Sequence, residues 1–422
     1  VKLSRFGQKF TEKSGILGLM DDLGKAMATD EKVYMLGGGN PPYIPAVEAV
    51  WRQRMEAIVG SGRTLEEMLG TYDTPQGNQV FIRSLVNLLN REYGWGLTER
   101  NIAITNGSQT SFFYLFNLLA GEMPDGSFKK ILFPLTPEYI GYTDQGIVPE
   151  MFVSHRPEIE MLDAHTFKYH VDFSQIEVGE DIAAICVSRP TNPTGNVLTD
   201  EEVEGLAALA REKNIPLIVD NAYGVPFPGI IFTDATPQWD EGRILAMSLS
   251  KVGLPSSRNG IIIASEDVIE AMTAVNAITS LATGGIGQRI TQPLIESGEI
   301  LTVANTLVKP FYQTRAQQAV AWIHEFFDDD LPYAVHKCEG ALFLWLWLRD
   351  LPIASQELYQ RLKQRNVIVV PGEYFFPGLE KDDWQHKREC LRLNYAHNPE
   401  DVREGLRIIA EEVTRAYKNN ES

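Results

Sequence analysis

Ile244-Leu-Ala-Met-Ser-Leu-Ser-Lys251 runs from four apolar residues into two serines and a lysine, with Arg258 and Gly260 close behind. A short apolar run that stops abruptly at polar residues reads as a buried strand delivering side chains to its carboxyl end. The same design recurs along the chain. Ile131-Leu-Phe133 leads into Pro134–Tyr139, Ile182–Val187 into Ser188–Asn192, and Leu217-Ile-Val219 into Asp220, while Ile261-Ile-Ile263 is a further apolar run. Strands that are apolar throughout are covered on both faces, and helical patterns lie between them. Thr199-x-x-Glu202 is a capping box followed by Val203, Leu206, Ala207 and Ala210 on one face. Another helix is predicted from Ser108 through Phe112, Leu115, Phe116 and Leu119 to a stop at Gly121. The alternation predicts an α/β fold. Ligands of open α/β sheets bind at the carboxyl ends of strands, so four strand ends point to one site. Unrelated polar loops would explain any one of them, but not the joint pattern.

Beyond about residue 300 the texture changes. An amphipathic stretch from Ile300 to Phe327 precedes the apolar runs Ala341–Leu348 and Val367–Val370, then Cys390-Leu-Arg392-Leu-Asn394. A terminal helix is predicted with Val402, Leu406, Ile409 and Val413 on one face. At 422 residues the chain has room for two domains. The predicted division is a large domain over 46–299 and a smaller α/β domain over 300–422, completed by the N-terminal segment 1–45.

The net charge of −18 argues against nucleic acid and anionic membranes as partners, without excluding a local basic pocket for a small anion. Cys186, Cys338 and Cys390 make no spaced pair, and Cys186 and Cys390 read as buried thiols. A reducing cytoplasm is the compartment this predicts. Lys2, Arg5 and Lys9 are followed by no apolar targeting segment. The longest apolar run, Ala341–Leu348, is far short of the ~20 residues of a membrane helix.

The side chains at the strand ends form one chemical set. Lys251 can bind an aldehyde as a Schiff base, and a partly desolvated, cationic pocket keeps its amine neutral part of the time. Alone, a lysine in a serine-rich loop is an ordinary solvated one. Asp220 can hold a proton on a ring nitrogen, since opposite charge favours a protonated pyridinium, although an acid there also suits a helix cap. Tyr223 and Asn192 can donate to an oxygen on that ring; Asn192-Pro-Thr-Gly195 is also simply a good turn. Thr105-Asn-Gly107-Ser108-Gln109 opens a predicted helix whose free N–H groups bind anions, and Ser248 and Arg258 add donors. Tyr139 can stack on the ring, with Tyr142 its rival. Arg392, alternating with apolar neighbours, asks for a planar anion such as an α-carboxylate, or for a structural ion pair. Leu36-Gly-Gly-Gly-Asn-Pro41 lets backbone approach a ligand closely. An aldehyde, a ring nitrogen, a ring oxygen and a phosphate occur together in pyridoxal 5′-phosphate.

These residues resemble the class I and II aminotransferases, fold type I pyridoxal-phosphate enzymes, over nearly the whole chain from Gly37-Gly-Gly-Asn-Pro41 to Arg392. Thr105-Asn-Gly-Ser-Gln109, Phe113-Tyr-Leu-Phe-Asn-Leu118, Lys168-Tyr-His-Val-Asp-Phe173, Asp220-Asn-Ala-Tyr-Gly-Val-Pro-Phe-Pro-Gly-Ile-Ile231 and Phe343-Leu-Trp-Leu-Trp347 are narrower. They look like a bacterial branch that exchanges amino groups among valine, alanine and their keto acids. The resemblance implies a mixed, mostly parallel sheet flanked by helices in the large domain, and a homodimer with shared active sites. It implies that Tyr72, in Thr71-Tyr-Asp-Thr-Pro-Gln-Gly77, reaches the phosphate held by the partner subunit, and that Gly38 lies beside the substrate carboxylate. The loop from Lys251 to Arg258 is a residue shorter than in many members of the superfamily, which bears on the phosphate-side geometry.

The activity expected is transamination between valine or alanine and a 2-oxo acid, pyruvate or 3-methyl-2-oxobutanoate. No second cation is assigned to a side-chain carboxylate, which favours apolar substrates over dicarboxylates. A carbon–sulfur lyase on the same fold is the alternative, because the same lysine, aspartate and tyrosine serve both chemistries. A non-catalytic ligand sensor is a third reading, but the chain has no spare basic N-terminal module.

Overall fold

The computed structural model describes residues 1–11, 17–18, 20–21, 24 and 32–418. The expectation that segment 1–45 completes the smaller domain therefore falls partly outside the described residues. The buried strands read from the sequence all form. Ile102–Thr105, Gly260–Ile263, Arg243–Ser248, Leu217–Asp220, Ile182–Ser188, Phe128–Phe133 and Gly121–Glu122 stand side by side in that order, with Phe152–Ser154 also paired to Phe128–Phe133. Four pairings in this eight-stranded sheet are parallel and three antiparallel. The helix Ser108–Leu119 ends two residues before Gly121, and Asp200–Glu212 carries both arms of the Thr199/Glu202 capping box.

Register turns this sheet into a site. Ser188 stands opposite Asp220, Ser248 opposite Gly260, and Gly260 opposite Thr105. The polar residues that close the strands thus emerge along one edge. Gly260 is required there. A Cβ would come within 2.5 Å of Thr105 Oγ1 and 2.8 Å of Ser108 N, so a side chain would push away the start of helix Ser108–Leu119.

A six-stranded sheet runs Val370–Pro371, Cys390–Asn394, Phe343–Leu348, Tyr333–His336, Thr166–His170, Glu158–Met161. Its last two strands come from residues 158–170, far upstream, and Thr166–His170 joins Tyr333–His336 in parallel. The predicted run Val367–Val370 divides. Val367–Ile368 pairs with Tyr34–Met35, whereas Val370 pairs with Arg392. The first of these pairings fastens Leu36 to Asn40 beside the strand carrying Arg392. The stretch beyond Ile300 forms helical segments Glu299–Val303 and Lys309–Phe326 joined by a π-helical turn, Ala304–Val308. The terminal helix Pro399–Lys418 buries Val402, Leu406, Ile409 and Val413 as its 3.6-residue period requires.

A buried ion pair ties the two sheets' loops together. Lys168 Nζ donates to Asn196 Oδ1 at 2.9 Å, to Val197 O at 3.1 Å and to Glu339 Oε2. Glu339 Oε2 also accepts the Val197 N–H at 3.2 Å. The turn that presents Asn192 is thereby strapped to the six-stranded sheet.

Candidate active site

A cavity of about 500 Å³ opens at the strand ends. Ser108, Gln109, Tyr139, Asn192, Asp220 and Tyr223 line it. So do Ser248, Lys251, Arg258, Arg392 and Gly38. Gly107 stands just behind, with φ at +96°, and a Cβ there would come within 2.2 Å of Arg258 Nη2. Only glycine lets the guanidinium lie against the helix N-terminus. Tyr72 is the exception: it is 81% exposed and does not line this cavity.

Lys251 sits in the short turn Ser250–Val252 that follows strand Arg243–Ser248. Its Nζ donates to Gly39 O at 2.7 Å and lies 5.1 Å from the centre of the Tyr223 ring. Burial, aided by the Arg392 and Arg258 charges, brings the amine down to about 8. A sizeable neutral fraction therefore exists near physiological pH. Burial also pushes the Tyr223 phenol upward, which keeps it a donor.

Asp220 holds the opposite end of the chemistry. Its Oδ2 accepts the Tyr142 O–H at 2.5 Å and its Oδ1 accepts the Ala222 N–H at 3.0 Å. Burial raises its carboxyl, outweighing the bonds from Tyr142 and Ala222 and the Lys251 charge, which lower it. The two rival tyrosines are placed differently here. Tyr142 is fully buried against Phe133 and bonded to Asp220, whereas Tyr139 faces the cavity, edge-on to Tyr142 at 5.4 Å.

Arg392 is 2% exposed. Nη1 donates to Asn192 Oδ1 at 2.8 Å and Nη2 to Gly37 O at 2.6 Å, while Nε has no partner. The guanidinium lies 4.1 Å from the Phe343 ring centre and 5.1 Å from that of Phe375. No carboxylate among the described residues balances it, and burial lowers its pKa to about 10. A buried cation without a counter-ion costs several kcal/mol, so this site is chemically complete only with an anion. Gly38 O accepts from Asn394 Nδ2 at 2.6 Å, which holds the glycine triplet in place.

Some cavity residues were not singled out from the sequence. Ser188 lines the wall, and Glu138 lies behind it with both carboxyl oxygens on Ser188. Met35 and His397 line the side nearest Arg392's strand and the glycine triplet. A carboxylate between apolar neighbours just after a buried strand, as in Thr136-Pro-Glu-Tyr139, was the available signal for Glu138.

The family model for aminotransferase class I and II matches residues 149–409. The chain belongs to the class I and II aminotransferases. The valine–pyruvate aminotransferase of Escherichia coli (strain K12) is 51% identical over 414 residues, covering 98% of each chain. Among solved structures, a putative amino-acid aminotransferase from Psychrobacter arcticum 273-4 superposes with a TM-score of 0.97 at 46% identity, covering 99% of this chain and 100% of that one. The valine–pyruvate aminotransferase of Salmonella typhimurium LT2 gives a TM-score of 0.88 at 49% identity, covering 96% and 99%. The fold is that of the fold type I enzymes, and these relatives favour transamination over the lyase alternative.

This aminotransferase works with pyridoxal 5′-phosphate. The residues present fit that group. An under-compensated carboxylate at Asp220 suits a protonated ring nitrogen. The N-terminus of helix Ser108–Leu119 beside Arg258 suits a phosphate, and the partly neutral amine of Lys251 suits an aldehyde.

Proposed function

We propose that this aminotransferase exchanges the amino group of valine or alanine with a 2-oxo acid, pyruvate or 3-methyl-2-oxobutanoate. When bound, the cofactor supplies an aldehyde that bonds amines and a ring that draws electrons from them. Lys251 holds that aldehyde between turnovers and moves a proton on and off the substrate Cα. Asp220 keeps the proton on the ring nitrogen, and Tyr223 with Asn192 donates to the ring oxygen. Ser108, Gln109, Ser248 and Arg258 bind the phosphate, with Gly107 giving Arg258 room. Tyr139 covers the ring face. Arg392, with Asn192 and Gly38 at its side, orients the substrate carboxylate.

The observation that carries the substrate class is the count of cations. Among the described residues, the cationic groups lining the cavity are Lys251, Arg258 and Arg392, and each has a task in this scheme. None is left for a side-chain carboxylate, and Met35 offers an apolar wall. The specificity constants for valine, alanine and aspartate test this. Valine and alanine are expected to lead, and an enzyme that prefers aspartate refutes the assignment. Borohydride reduction of the holoenzyme followed by peptide mapping tests Lys251, since an adduct on any other lysine removes its role.

Assembly belongs to the same reading. Tyr72 and its neighbour Leu69 are exposed, and Asp73 is fixed by Arg289 Nη2 at 3.0 Å and by Asn78 Nδ2 at 2.8 Å. An exposed tyrosine on a pinned loop suits a homodimer in which Tyr72 completes the partner's phosphate site. The division into 46–299 and 1–45 with 300–422, and a cytoplasmic setting, go with this proposal. No helix among the described residues is long and apolar enough to cross a membrane.

A further inference from the structure

Glu138 is 1% exposed and makes no ion pair among the described residues. Its Oε1 accepts the Ser188 N–H at 2.8 Å, and its Oε2 lies within hydrogen-bond reach of Ser188 Oγ. Its own N–H donates to Phe375 O at 2.8 Å, which fixes its backbone. Ser188 lines the cavity and stands opposite Asp220 in the sheet. Ser188 Oγ is 3.5 Å from the Tyr142 hydroxyl, which donates to Asp220 at 2.5 Å. Two carboxyls are thus joined by one string of groups, Glu138–Ser188–Tyr142–Asp220.

The string has a limited number of protons to distribute. If Glu138 were ionised, the Ser188 O–H would be committed to it, and two like charges would stand close together away from water. If Glu138 keeps its proton, it donates to Ser188 Oγ, and the Ser188 O–H is free to turn toward Tyr142 or the cavity. The second arrangement leaves one negative charge, on Asp220, which already receives donors from Tyr142 and Ala222 and feels the charge of Lys251.

We propose that Glu138 is a positioning residue: as a neutral carboxylic acid it fixes Ser188, and through Ser188 and Tyr142 it holds Asp220 as the single negative charge facing the ring nitrogen of the cofactor. This rests on the reading of Asp220 given above. Burial, with Asp220 nearby, moves the Glu138 carboxyl up to about 8. The titratable groups around it are Asp220, Tyr139, Tyr142 and Cys186, none of which is cationic.

The test uses the holoenzyme and two readouts, the visible absorption band of the bound cofactor and the dissociation constant for pyridoxal 5′-phosphate. Glu138→Gln offers a carbonyl to the Ser188 N–H and an N–H to Ser188 Oγ, so it mimics the neutral acid. It should keep the wild-type band and affinity. Glu138→Ala should displace the pH midpoint of the band and weaken cofactor binding by roughly tenfold. A Glu138→Gln protein that is as impaired as Glu138→Ala, or that does not fold, overturns the neutral-acid role. A Glu138→Ala protein indistinguishable from wild type overturns the positioning role. Should Glu138→Ala fail to fold, Ser188→Ala breaks the string at its next link, and the same comparison decides. Asp220→Asn separates the two layers. If it leaves both readouts unchanged, the role of Asp220 itself falls; if it disturbs them while Glu138→Ala is silent, the Glu138 proposal falls alone.

Discussion

Lys168 and Arg392 are basic side chains shut away from water in the same six-stranded sheet, and their surroundings treat them oppositely. The Lys168 side chain, 7% exposed, meets a carboxylate of Glu339 that is itself 5% exposed, and two further oxygens complete its donors. Arg392 meets two neutral oxygens and two aromatic faces, and one of its nitrogens has no partner. Both residues carry the desolvation cost of a buried charge. For Lys168 the protein returns most of it within the fold, and the result is architecture: the turn bearing Asn192 is held to the second sheet. For Arg392 no carboxylate among the described residues offers that compensation, which is what the proposed grip on a substrate anion requires. Burial alone does not distinguish the two; the inventory of partners does.

The largest effect that would sharpen this contrast is on stability. Lys168→Met leaves the buried Glu339 carboxylate with only the half-exposed Lys337 ammonium, 2.9 Å from Oε1, to balance it, so the loss should fall at the lower end of the about 3–5 kcal/mol of a broken buried pair. Urea denaturation should show that loss, and adding Glu339→Gln should recover part of it. A Lys168→Met protein as stable as wild type would mean that the pair is not what holds the turn. Arg392→Met should do the reverse, unfolding at the same or a higher urea concentration while losing substrate binding, because it removes a charge that the fold does not balance.

Lys251 extends the comparison to a third basic group, one that responds to its setting by giving up its proton. Burial and the two arginines bring its amine from 10.5 down to about 8. Raising the pH increases the neutral, reactive fraction, so the rate at which the apo-protein captures an aldehyde should climb with pH and level off above about 8. Arg392→Met removes one of the cations responsible and should move that midpoint upward. A rate that keeps climbing to the ordinary lysine range would show that the pocket does not tune this amine.

Arg392→Lys comes next in size. A lysine cannot reproduce two parallel donors from a planar fork. The specificity constants for valine and alanine should therefore fall together, by about 10- to 100-fold. Unchanged constants would remove the carboxylate role.

Five strands of the eight-stranded sheet were legible in the sequence for a physical reason. Ile182–Ser188, Leu217–Asp220 and Arg243–Ser248 are short, almost wholly buried and closed by a polar residue, so their ends can be read without knowing their neighbours. Lys251, Asp220 and Asn192 were singled out that way, and all three line one cavity. The hairpin at residues 158–170 was not, because Glu158–Met161 lies mostly exposed at the sheet's edge and shows no buried pattern. Its partner strand lies more than 160 residues away, at Tyr333–His336. Val367–Val370 read as one strand because nothing local marks where a chain passes from one sheet to another. The hydrogen-bond partner of Tyr142 was missed for a related reason. Its bond to Asp220 crosses 78 positions of sequence, and an aromatic in a loop gives no sign of which carboxylate it will meet.

The smallest expected effect concerns the wall of the pocket. Met35 is half-buried, pairs with Ile368 through its backbone and lines the cavity two residues before Gly37, whose carbonyl holds Arg392. It therefore stands on the side where the substrate carboxylate is proposed to bind, and its flexible thioether can close around a small apolar side chain. Valine exceeds alanine by two carbon atoms, and each buried methylene is worth about 0.8 kcal/mol. If Met35 covers part of that extra surface, Met35→Ala should lower the valine-to-alanine ratio of specificity constants by roughly fivefold, within the range that apolar pockets usually achieve. Stability should change little, since Met35 is not in the fully buried core. The ratio is the discriminating quantity: Arg392→Lys should leave it fixed while both constants drop, and Met35→Ala should move it while the alanine constant stays near wild type. A Met35→Ala enzyme in which both constants fall equally would place Met35 with the carboxylate-orienting parts of the site and leave the apolar wall to be sought elsewhere.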